Sequence, residues 1–215
     1  MARAVSDPLG DQNLRERFVS AALIALNDHG PVELTVRRVA ELAGSSTMGI
    51  YTQFGGRSGM LEAIYRRGFE LLRSSLTAAF DDLADPAAHD PTERVVAISL
   101  AYRHFALDNP ALYAFMFERP LPGFDPSPQL RAEALGMTFT LLTDEVHRAQ
   151  ADGLVAGDDP VRPAYLLWTA MHGMTSIELT HAARSPLPGW FLDSRDAGER
   201  VFVAGVRALL AGLGT

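Results

Sequence analysis

The sequence predicts an all-α protein of about nine helices, with a small helical domain over residues 1–58 and a larger helical bundle over residues 59–215. Three observations lead there. Apolar residues recur three and four positions apart along most of the chain. No alternating β-branched run is long enough to make a strand. Clusters of Gly, Pro and Asp interrupt the helical pattern at intervals of one helix length.

Taken in order, Leu14, Phe18, Ala21, Ala22, Ala25 and Leu26 mark a first helix that stops at Asp28-His29-Gly30-Pro31. Thr35 is placed to cap "VRRVAELA", whose apolar face is Val36, Val39, Ala40 and Ala43. Gly44 follows at the position where a left-handed turn favours glycine. Ser45 or Ser46 then caps a second short helix that ends near Phe54, before Gly55-Gly56. Ser58 is the expected cap of a longer helix from Gly59 to about Leu83, and "ADPAAHDP" reads as a loop. Helices are expected from Thr92 to about Leu107, from Asn109-Pro110 through Phe117, and, after the Pro-rich "ERPLPGFDPSP", over 128–151, 161–183 and 195–213.

Composition narrows the function. With 47% hydrophobic residues the chain can bury a substantial core. It has no cysteine, which excludes disulfides and thiolate metal sites and fits a reducing cytoplasm. No apolar run approaches the roughly 18 residues of a membrane span. The opening "MARAVSDPLGDQNL" lacks the apolar core of a signal peptide. The net charge of −7 gives no overall attraction to nucleic acid, but it is unevenly spread. Residues 1–60 carry 6 Arg against 6 Asp and Glu, net 0; residues 61–215 carry the remaining 13 against 20, net −7. The uneven spread suggests two segments with different tasks.

"ELAGSSTMGIYTQFGGRSGML", residues 41–61, is the stretch that carries chemistry. A short helix of small polar residues buries little, but its outer face suits close approach to a groove. Two short helices joined by a tight Gly turn form a helix-turn-helix, whose second helix lies in the DNA major groove. Ser46, Thr47, Gly49 and Gln53 are the residues expected on that face, Gln being able to pair bidentately with adenine. Ile50 and Phe54, four apart, anchor the inner face. Tyr51 and Arg57 are placed to meet phosphates, with Thr35 and Arg37 clamping the backbone from the preceding helix. The same spacing also suits a plain αα corner with Tyr51 and Phe54 as core aromatics.

"LTVRRVAELAGSSTMGIYTQFGGRSGMLEAI", residues 34–64, resembles the DNA-binding domain of TetR/AcrR-type bacterial transcriptional regulators. Thr35, Arg37, Ala40, Ala43, Gly44, Ser46, Ile50, Tyr51, Phe54 and Leu61 fall where that pattern places them, and Phe18–Gly30 resembles the family's first helix. The sequence departs at Ser45, at Met48-Gly49 and at Arg57, which stands where Lys is usual. "YLLWTAMHGMTSIEL", residues 165–179, is similar to the C-terminal subtype with a Trp-x-x-x-His-Gly signature, carried here by Trp168, His172 and Gly173. Trp168 and His172 share one helix face, and Gly173 in a helix interior suggests close approach of another backbone.

The resemblance implies a homodimer on a palindromic operator, repression of the usual kind with activation as the alternative, and release by a small lipophilic or aromatic effector. The final helix, "RVFVAGVRALLAGL", is apolar nearly all round and so needs covering on both sides. Ala170, Gly173, Phe202, Val206, Leu209 and Leu210 are the candidate dimer residues. Candidate effector contacts are Tyr102, Phe105, Tyr113, Met116, Phe117, Phe139, Trp168, Met171 and His172, which ordinary core packing would equally place at helical spacing. No cofactor or metal is expected. Asp144-Glu145-x-His147 reads as a solvated helix turn, and no Gly-rich phosphate loop or G-x-S-x-G occurs. The rivals from other classes are an enzyme using Tyr102, His104 or His172 as acid or base, and an interaction module built on the same scaffold.

Overall fold

The computed structural model describes residues 8–81, 90–119, 121–181 and 194–214. Among these residues there are nine α-helices and no strand. They are α1 Pro8–His29, α2 Val36–Leu42, α3 Thr47–Phe54, α4 Arg57–Asp81, α5 Pro91–Asp108, α6 Pro110–Phe117, α7 Pro128–Ala151, α8 Val161–His181 and α9 Arg195–Leu213, with a 3-10 turn at Pro31–Glu33. The expected loop at "ADPAAHDP" and the last two residues of the expected 161–183 helix fall largely or wholly outside the described residues. Ser58 does not cap α4. The helix begins at Arg57, two residues before the expected Gly59, and the carbonyl of Gly56 accepts from the N–H of Met60 at 3.1 Å.

The chain divides into two compact units, one comprising residues up to Glu70 with Asn109–Ala134, the other Leu71–Asp108 with Leu135–Thr215. In the first, α1 packs on α2, α3 and α6. Phe18, Ala22 and Leu26 recur every fourth residue and are fully buried with Leu34, Val39 and Ile50. Aromatic rings continue this core: Tyr65 and Phe69 lie 5.1 Å apart, Phe69 and Phe117 5.4 Å, and Tyr113 and Phe117 5.0 Å. Gly68 admits Met116, whose sulfur would lie 2.6 Å from a Cβ there.

In the second unit α5, α8 and α9 pack pairwise. Its core mixes apolar residues with two buried ion pairs. Arg94 donates to both oxygens of Glu145 at 2.6 and 2.8 Å. Arg103, fully buried, donates to both oxygens of Glu178 at 2.8 and 2.7 Å, to Glu199 at 3.0 Å and to the Arg195 carbonyl at 2.7 Å. Gly198 makes room for this cluster, because a Cβ there would collide with Oε1 of Glu178.

α9 is not uniformly covered. Ala197, Gly198, Phe202, Val206 and Leu210 form one buried stripe, while Val201, Ala204 and Ala208 are exposed. Phe202, Val206 and Leu210 are therefore packed within the chain itself. Leu209 is half-buried.

Candidate nucleic-acid interface

Local capping fixes α2 and α3. The hydroxyl of Thr35 accepts from the N–H of Arg38 at 3.2 Å, and that of Ser46 from the N–H of Gly49 at 3.3 Å. Between them Gly44 takes φ 60°, with its own N–H on the Glu41 carbonyl and that of Ser45 on the Ala40 carbonyl, both at 3.0 Å. This pair of bonds closes the end of α2 and turns the chain at once into α3. Gly55, φ 73°, ends α3 with its N–H on the Tyr51 carbonyl.

The inner side of α3 is set by Ile50, fully buried, and by Phe54, edge-on to Phe18 at 6.0 Å. Gly49 belongs to this side as well. A Cβ on it would stand 2.9 Å from Cζ of Phe18, so the glycine serves packing on α1 and does not stand on the outer face where the sequence reading put it. Gln53, one turn on, is half-buried beside it.

The outer face consists of Thr47, Met48, Tyr51 and Thr52, all exposed, with Met48 at 69%. Met48 and Thr52 were missed by the sequence reading. The signal was present: with Ile50 and Phe54 turned inward, 100° per residue puts positions 48 and 52 opposite them. Tyr51 lies over Gly56, where a Cβ would meet its ring at 3.4 Å.

The basic residues divide in two. Arg15 donates to the Gln53 carbonyl at 2.8 Å and stacks over Phe54, while Arg17 donates to the Ala43 carbonyl at 2.6 Å. Each thus meets the negative end of a short helix. Arg38 contacts His29 at 3.0 Å and Glu41 at 3.6 Å. Arg37 and Arg57 are exposed, and among the described residues neither meets a carboxylate within 4 Å. Thr35 is exposed on the same helix start as Arg37.

The candidate effector contacts fall into separate groups. Tyr113, Met116 and Phe117 belong to the first unit. Tyr102, Phe105, Phe139, Trp168, Met171 and His172 belong to the second. There, Trp168 is edge-on to Phe139 at 6.3 Å and to Tyr165 at 5.9 Å, and lies 6.1 Å from the His172 ring. The Tyr102 hydroxyl is 2.9 Å from Nδ1 of His172 and donates to it when that nitrogen is bare. Ser99 donates to the Val95 carbonyl at 2.6 Å, with Met171 sulfur at 3.3 Å. Sequence reasoning did not single out Thr175, whose fully buried hydroxyl has no hydrogen-bond partner among the described residues. Its signal was a hydroxyl four residues after Met171, on the buried face of α8 that also carries Glu178.

His104 sits beside Glu199, with Nε2 2.8 Å from the carboxylate. That hydrogen bond, with Arg103 adding its charge, holds the Glu199 carboxyl below the usual carboxylate value. No group of three His, Asp or Glu among the described residues is arranged to hold a metal ion. None of the helices among the described residues is long and apolar enough to cross a membrane.

Ala170 and Gly173 are half-buried on α8. Among the described residues a Cβ on Gly173 would meet nothing within 4 Å, so the backbone approach expected there is not made by the described helices. Around them Tyr165, Leu166 and Ile177 are exposed at 54, 40 and 49%.

Comparison with known proteins gives a consistent picture. The family described as bacterial regulatory proteins, tetR family, matches residues 18–64, and the tetracyclin repressor-like C-terminal domain matches residues 95–209. The HTH-type transcriptional regulator Rv1816 of Mycobacterium tuberculosis is 26% identical over 194 residues, covering 78% of this chain and 81% of its own. A protein of unknown function from Rhodococcus sp. RHA1 superposes with a TM-score of 0.74 at 27% identity, covering 94% of this chain and 96% of that one. A TetR family transcription regulator from Marinobacter aquaeolei VT8 shares the fold, with a TM-score of 0.67 at 19% identity over 94% of this chain and 98% of that one.

Proposed function

The chain belongs to the tetR family of bacterial regulatory proteins and is a transcriptional regulator, and we propose that it is a cytoplasmic, ligand-responsive repressor that binds a palindromic operator as a homodimer. The observation that carries the DNA-contacting role is the exposed face of α3, with Thr47, Met48, Tyr51 and Thr52 outward and uncommitted Arg37 and Arg57 to either side in sequence. Arg37, Arg57, Thr35 and the Tyr51 hydroxyl position the domain on phosphates, and the α3 face reads the groove.

The homodimer reading rests on the outward faces of α8 and α9. Leu166, Ala170, Gly173 and Ile177 recur at helical spacing on the first, and Val201, Ala204 and Ala208 on the second. Small residues at the centre let a second copy's helices approach closely, and two-fold pairing buries both faces. The dimer residues proposed on α9 are thus the outward ones, in place of Phe202, Val206 and Leu210.

Effector binding is assigned to the aromatic group around Trp168, Phe139 and the Tyr102–His172 pair, which suits an aromatic or lipophilic compound carrying one polar group. Such a ligand lowers operator affinity only through its preference for the non-binding conformation, a coupling of about 1–3 kcal/mol.

The test is selection of genomic DNA fragments by the purified protein at ~150 mM salt with excess non-specific competitor. A palindromic motif bound with Kd of ~10⁻⁸–10⁻¹¹ M is the expected result. Binding is lost in Tyr51→Ala with Arg57→Ala while the dimer persists. Failure to select any motif, with and without cell extract, rejects the repressor reading.

A further inference from the structure

We infer that Met48 reads the C5-methyl group of a thymine in the operator. The inference rests on the DNA-binding reading of α3 and adds what that helix recognises. In the major groove, sequence is read either by hydrogen bonds to base edges or by apolar contact with the thymine methyl. The outer face of α3 is poor in the first resource. It carries no Arg, Lys, Asn, Asp, Gln or Glu. Gln53, the one amide on the helix, is half-buried on the Gly49 side and turned from the middle of the face. The Thr52 hydroxyl proton is committed to the helix itself, donating to the Met48 carbonyl at 3.0 Å.

What projects furthest is Met48, 69% exposed and directly opposite the buried Ile50. An exposed thioether on a small helix has no folding reason to be there, since α3 buries only Ile50 fully. Its chain is long, flexible and polarisable, and it gains in a groove only by meeting an apolar group. The thymine methyl is the apolar group that the major groove presents. Close packing of Gly49 against Phe18 holds this turn of α3 to α1, so the methionine is delivered from a fixed backbone.

The experiment uses the full-length protein and an operator selected from amplified fragments, in which thymine is the only base with a C5-methyl. Each thymine of the site is replaced singly by uracil, and Kd is measured by fluorescence anisotropy for the wild type, Met48→Ala and Met48→Leu. At the contacted thymine, uracil weakens wild-type binding about fourfold, the effect of one buried methyl. Met48→Ala binds the thymine and uracil operators equally at that position, and Met48→Leu retains the penalty. A wild type indifferent to every uracil overturns the inference, as does Met48→Ala that keeps the same penalty. Failure to select any operator rejects the DNA-binding reading itself, a result distinct from a selected operator that tolerates uracil throughout.

Discussion

Gly49 shows how a single residue type carries two opposite readings. On sequence it looks like a vacancy on a groove-facing helix; in the structure it is the point where α3 touches the Phe18 ring. Phe18 is wholly buried, so it has little room to yield to a methyl group 2.9 Å from its Cζ. Gly49→Ala is therefore expected to cost about 1–3 kcal/mol despite the gain in helix propensity. Urea denaturation of the full chain measures it; an increase in stability would show that the ring moves aside freely. The difference between the two readings was not recoverable from spacing alone. A glycine has no polarity by which to assign it a side, and only the position of Phe18 on a different helix decides the matter.

At the scale of elements, the joint between α5, α8 and α9 is made by charge as much as by apolar contact. Arg103 on α5 is held by Glu178 on α8 and by Glu199 and the Arg195 carbonyl on α9. Removing only the cation leaves the Glu178 carboxylate buried and unpaired, so Arg103→Met is expected to destabilise by about 3–5 kcal/mol. Pairing it with Glu178→Leu recovers part of that loss, which a double-mutant cycle reads directly. Glu199 adds a pH dependence. Its folded carboxyl titrates below the ordinary value of 4.5, so its contribution is fully present above that value and is lost as pH falls through the lowered folded value. His104→Ala should flatten this acid limb of the unfolding midpoint against pH by lowering the plateau above it, with little change at the acid end. Helix boundaries were largely legible because Thr35, Gly44, Ser46 and Gly55 act through their own backbone neighbours. The charged joint was not, because Arg103, Glu178 and Glu199 lie 75 and 96 residues apart and look like ordinary helix polars until the helices meet.

For the whole molecule, the proposed dimer makes the most direct prediction. Ile177 is 49% exposed on the outward face of α8, so Ile177→Glu adds a charge there at little cost to the chain's own core. Light scattering should give a mass near twice 23.3 kDa for the wild type and near 23.3 kDa for the variant, with helicity unchanged. A wild type of single mass at micromolar concentration would remove the dimer and, with it, the symmetry of the operator.

The hydrogen bonds of Arg15 and Arg17 to the carbonyls of Gln53 and Ala43 reach beyond folding. Those two guanidinium groups close the ends of α3 and α2, which leaves Arg37 and Arg57 as the uncommitted cations of the described head. In the proposed dimer, two per head would neutralise four phosphates, for an expected slope of log K against log salt of about −3.6. A regulator with so few displaced counterions holds bulk DNA weakly. It searches by separate collisions more than by sliding along the duplex, and its occupancy of the operator changes comparatively little when the ionic strength of the cell rises.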